Sequence, residues 1–107
     1  MAFEALELSH VFIAQLREPV AAIALCDGEL ARQLRRAASS VSLNLSEGRL
    51  RAGRDRKHLY RIAAGSAAET GAALQVAVSW GYVDATVAAE ALATLDRLRA
   101  MLWRLTH

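Results

Sequence analysis

The sequence predicts an all-α protein, an antiparallel up-down four-helix bundle, and three observations carry that expectation. Apolar residues make up 54% of the 107-residue chain and aromatics only 6%, so the excess is mostly alanine and leucine, suited to helices that approach closely. Apolar positions recur at steps of three and four, with no stretch of strand-like alternation. Turn-forming residues are sparse and widely spaced, and there is one proline. A chain of this length is expected to form one domain over residues 1–107, with a modest core that gains from oligomerisation.

Each element follows from its spacing. The first helix is expected from about Phe3 to about Cys26, with Leu6, Ile13, Leu16, Val20 and Ile23 on one side and Leu8 and Phe12 widening the stripe. Pro19 lies inside it, removes a backbone donor and clashes with the Gln15 carbonyl, so a kink or break is expected there. Asp27 caps the second helix, whose apolar row is Leu30, Leu34, Ala37 or Ala38, Val41 and Leu45. That helix ends near Gly48, and Arg49 to Gly53 forms the linker.

The third helix runs to Trp80 and stops at Gly81. It carries small residues on nearly every face: Ala63, Ala64, Gly65, Ser66, Ala67 and Ala68, then Gly71, Ala72 and Ala73. Burial on two sides is therefore expected, the second side being another subunit. Asp84 caps the last helix, whose seam is Val87, Ala91, Leu95, Leu98, Leu102 and Leu105.

A formal net charge of +2 hides a strong asymmetry. Residues 32–61 hold nine Arg and Lys against two acids, and the remainder of the chain is net acidic. The cluster Arg49, Arg51, Arg54, Arg56, Lys57 and Arg61, extended by Arg35, is a candidate surface for tracking phosphates. Its alternative is a solvated loop and helix start. Recognition by shape and charge is expected, since no recognition-helix pattern is visible.

A polar row on the second helix, Arg36, Ser40, Asn44 and Glu47, is expected to be faced by Ser66 and Glu69 of the third. These six are expected to form a structural hydrogen-bonded network, with Arg36 or Arg35 pairing Glu69 or Glu47. Read as an enzyme, the chain would need Glu47 and Glu69 in one pocket; no nucleophile with an adjacent base is evident, so a non-enzymatic protein is expected.

His10, His58 and His107 have no metal-ligand spacing, and neither metal nor cofactor is expected. Cys26 is the only cysteine, read as a small apolar filler. Trp80, Tyr82 and Trp103 are read as anchors of the bundle ends. The opening Met1-Ala2-Phe3-Glu4 carries no basic n-region, and the longest charge-free stretch, Thr70 to Val83, is too short for a bilayer. A cytoplasmic protein without a membrane partner is expected.

The run QLRRAASSVSLNLSEG from Gln33 to Gly48, the basic linker, IAAGSAAE from Ile62 to Glu69 and WGYV from Trp80 to Val83 resemble the 23S rRNA intervening-sequence protein family. The resemblance covers about Leu30 to the C-terminus. It implies a small bacterial four-helix-bundle protein of poorly defined role, similar to the pentameric, nucleic-acid-binding accessory protein of diversity-generating retroelements. It therefore implies a homo-oligomer, a pentamer, with RNA or DNA as partner. Ser42 departs from a proline common in the family, and Pro19 from an uninterrupted first helix. The other reading of the same charge is an interaction scaffold that docks an acidic partner protein without touching nucleic acid.

Overall fold

The computed structural model describes residues 2–107, with side chains from Phe3 onward; Met1 of the expected domain lies outside the described residues. Five helices and no strand are present among them: α1 (Ala2–Gln15), α2 (Arg17–Cys26), α3 (Gly28–Gly48), α4 (Gly53–Trp80) and α5 (Ala85–Thr106). The all-α expectation holds, and the count of four is corrected to five because the first expected helix is two. The axis bends by 46° between α1 and α2. Pro19 explains the break: it is the third residue of α2, a first-turn position where the missing N–H has no helical partner to lose.

Asp27 and Asp84 cap α3 and α5 as expected. Their carboxylates accept from the Leu30 N–H at 3.0 Å and the Thr86 N–H at 3.2 Å. Gly81 ends α4 in the left-handed region, φ 78°.

At 1.5 Å per residue the 28 residues of α4 rise about 42 Å, the whole 42 Å length of the molecule. α4 packs on α3 along one flank and on α5 along the other; α1 lies against α5 and α3, and α2 against α3. The buried row of α3 is Leu34, Ala37, Ala38, Val41 and Leu45, and that of α5 is Ala91, Leu95, Leu98 and Leu102, both as spaced in the sequence. In α1, Phe12 is fully buried and Ile13 only partly, so the stripe turns one residue from the expected row. Small residues on α4 permit the close approach: a β-carbon on Gly71 would stand 3.1 Å from Leu95 Cδ2.

α1 and α3 are joined by a buried polar pair. The hydroxyls of Ser9 and Ser42 lie 2.7 Å apart, and Ser9 donates to the Leu6 carbonyl at 2.6 Å. Serine at 42 thus supplies an interhelical hydrogen bond that proline has no group to make. Replacing Ser9 by alanine leaves the Ser42 hydroxyl buried without this partner. A Ser9→Ala/Ser42→Ala double-mutant cycle read by urea denaturation is expected to give a coupling of about 1 kcal/mol; additive losses would show that the pair contributes no coupling.

Candidate functional site

The turn between α3 and α4 is built around one glycine. A β-carbon on Gly48 would stand 2.6 Å from Tyr60 Cε1 and 2.8 Å from Cδ1, so the Tyr60 ring packs where only glycine leaves room. Tyr60 is 4% exposed. Arg56 completes the turn, donating from Nε to the Gly48 carbonyl and from an Nη to the Arg49 carbonyl, both at 3.2 Å. These are carbonyls at the end of α3, where a cation also suits the helix dipole. Gly53, at φ 60°, opens α4.

The start of α4 is electrostatically unfavourable to its own residues. Its N-cap is Ala52, which offers no side-chain acceptor. Arg54, Arg56 and Lys57 stand near the positive end of the helix dipole, against Asp55 alone. Cations there cost stability, and an anion would relieve them.

These residues form one wall of an open groove of about 810 Å³ at this end of the molecule. Five cations line it: Arg49, Arg54, Arg56, Lys57 and, from the last turn of α5, Arg104. Phe3, Tyr60 and Leu105 supply its apolar surface, and among the described residues no carboxylate lines it. The Arg49 guanidinium carbon sits 5.0 Å from the centroid of the Phe3 ring, a cation–π contact.

The other members of the expected basic surface lie elsewhere. Arg51 pairs with Glu47 at 2.6 Å, both side chains about half exposed. Arg61 is exposed on α4 without lining the groove, and His58 is exposed. Arg35 does not extend this surface: it lies about 21 Å along α3 from Arg49 by the helical rise and lines a second groove.

That second groove, about 600 Å³, runs between α3 and α4. At its centre the Ser40 and Ser66 hydroxyls are 2.8 Å apart, and Asn44 donates to the Ser40 carbonyl at 2.9 Å and hydroxyl at 3.0 Å. Arg35, Arg36 and Glu69 line it without an ion pair between them among the described residues. The expected pairing of Arg36 or Arg35 with Glu47 is corrected: Glu47 lies one turn from Arg51 and takes the nearer cation. Glu47 and Glu69 consequently do not share a pocket.

Among the described residues no three His, Cys, Asp or Glu side chains are grouped as metal ligands. Cys26 is exposed rather than a core filler, because it sits in the last turn of α2, where the chain leaves the core. Trp80 and Trp103 are mostly exposed, stacked instead on Tyr82 and His107 with centroids 6.2 Å and 4.4 Å apart. No single helix among the described residues is long and apolar enough to cross a membrane.

Sequence reasoning missed Phe3, Arg104 and Leu105 as groove residues. The signal was there: in alternating helices the start of the first, the second turn and the end of the last meet at one end.

The fold and groove define a small all-helical protein with a cationic, partly apolar end. The model of the 23S rRNA-intervening sequence protein family matches residues 5–104, and the chain belongs to that family. Its fold is similar to that of a crystal structure from Bacteroides thetaiotaomicron, a protein of unknown function from the S23 ribosomal protein family. The TM-score is 0.85 at 17% identity, over 95% of this chain and 97% of that one. No curated protein matches the chain.

The Gly48–Tyr60 contact is the part of the site most sensitive to change. Gly48→Ala is expected to displace the ring and destabilise the protein by about 1–3 kcal/mol, seen as a lower urea midpoint. An unchanged midpoint would mean that Tyr60 moves aside freely.

Proposed function

We propose that this is a non-enzymatic, cytoplasmic, homo-oligomeric bundle that binds structured nucleic acid through the basic end of each subunit. One observation carries the reading: five cations converge on a groove lined by no carboxylate among the described residues, three of them near the positive end of a helix without a side-chain cap. The chain accepts a local electrostatic cost there, and phosphates offset it. Arg54, Lys57 and Arg104 are the phosphate contacts, with Arg49 and Arg56 holding the turn and Arg51, Arg61 and Arg35 peripheral.

In this reading α1 and α2 act as one bent helix, so that five helices make the four corners of an up-down bundle. The outer face of α4 supports an oligomer. Gly65, mid-helix, has nothing within 4 Å of an added β-carbon. Such a glycine costs about 0.5–1 kcal/mol relative to alanine, with no return inside the subunit. Val76 and Trp80 on the same helix are also exposed, and the groove holding Ser40, Asn44, Ser66 and Glu69 is open beside it. A neighbouring subunit covering this face would close the polar groove, with five subunits as the family resemblance implies.

The test is fluorescence anisotropy of the nuclease-treated protein with a structured RNA and a duplex DNA across a salt series. Light-scattering mass is recorded on the same sample. Wild type is expected to lose affinity steeply with salt. Arg54→Glu/Lys57→Glu is expected to weaken binding more than tenfold and to flatten the log–log slope by about two contacts, at unchanged mass. Retained affinity in that variant would refute the site. No binding at low salt would favour docking of an acidic partner protein, and a mass near one 11.6 kDa chain would refute the oligomer.

A further inference from the structure

The groove at the α3–α4 turn is more than a cationic surface, and its apolar part is what charge alone leaves unexplained. A site that only tracked phosphates along a helix needs exposed cations and no cavity. Here the cations surround a space of about 810 Å³ with Phe3, Tyr60 and Leu105 on its walls. Phe3 is 53% exposed, an aromatic ring left half in solvent at the mouth of a basic site. The ring is held against Arg49, so an aromatic plane and a planar guanidinium lie together, and both are surfaces on which nucleobases stack.

We infer that this groove takes an unpaired nucleotide of a nucleic-acid strand, its base against Phe3 and Leu105 and its flanking phosphates on Arg54, Lys57 and Arg104. The inference rests on the nucleic-acid reading above and deepens it. Three features of the groove fit this occupant. The volume accommodates a base and its sugar, which a base inside a continuous duplex cannot deliver because it is stacked and paired. The cations come from two different helices, Arg54 and Lys57 from α4 and Arg104 from α5, so more than one phosphate of the strand has a partner along the groove. The absence of a carboxylate among the lining residues removes the acceptor that would favour a cationic or amine ligand. A single strand, loop or bulge therefore binds better than a blunt duplex with the same number of phosphates.

The experiment compares a fluorescein-labelled single-stranded RNA, a hairpin with an unpaired loop and a blunt RNA duplex, against wild type, Phe3→Ala, Phe3→Trp and Arg54→Gln/Lys57→Gln. Phe3 is half exposed, so its truncation leaves the buried core in place, and helicity by circular dichroism is recorded for each variant. Wild type is expected to bind strand and hairpin about tenfold more tightly than duplex. Phe3→Ala is expected to remove about tenfold of strand affinity with duplex affinity unchanged, Phe3→Trp to restore it, and the double Gln variant to weaken all three probes. Equal affinity for strand and duplex, with no effect of Phe3→Ala, overturns the nucleotide site and leaves the basic-surface reading standing. Failure of wild type to bind any probe overturns both. A free mononucleotide that competes with the strand at micromolar concentration overturns the assignment to a strand in favour of a soluble nucleotide.

Discussion

The packing of Tyr60 on Gly48 is the constraint on which the basic end of this molecule depends. The four residues Arg49–Ala52 reverse the chain between its two longest-paired helices. Such a short connection holds one geometry only if both helix ends are fixed. The ring fixes them from inside, filling the space of a missing side chain, and Arg56 fixes them from outside by bonding the last α3 carbonyls. Once the turn is set, Arg49, Arg54 and Lys57 need no further device to be held in one region.

Two kinds of cation result, and the difference matters for the reading of the surface. Arg51 and Arg56 have partners within the chain, and Arg49 lies over a ring. Arg54, Lys57 and Arg104 have no ion pair among the described residues, and two of them stand near a helix terminus that disfavours positive charge. Arg54 and Lys57 stand where the α4 backbone presents unpaired N–H groups, so an anion there would offset their cost, whereas Arg104, in the last turn of α5, is favoured by its own helix dipole. The polar groove beside α3 differs: its serines and asparagine bond each other, as a packed interface between helices requires.

Much of the fold was legible from residue spacing. The seams of α3 and α5, the Asp27 and Asp84 caps and the Gly81 stop follow from local rules that tertiary contacts did not override. The break at Leu16 was legible as a consequence of Pro19, although spacing could not say whether the helix would bend or split. The site was half legible. Charge density located the turn, because nine cations within thirty residues stand out against an acidic remainder. Helical spacing alone sets Arg35 about 21 Å from Arg49 along α3, but which groove it faces depends on rotation about that helix. Charge density could not show Arg51 consumed by Glu47, a choice among neighbours one turn apart. Phe3 and Arg104 are about a hundred positions apart in sequence, and only the arrangement of the helices brings them together.

The proposal that an anionic strand docks at the α3–α4 turn, with Arg104, concerns individual guanidinium groups. NMR observation of arginine Nε–Hε resonances during titration with a single-stranded oligonucleotide tests it most directly, because each guanidinium reports separately. Shifts are expected at Arg49, Arg54, Arg56 and Arg104, with Arg17 and Arg97, which do not line the groove, unmoved. Shifts confined to Arg35 and Arg36, or spread evenly over all arginines, would contradict it.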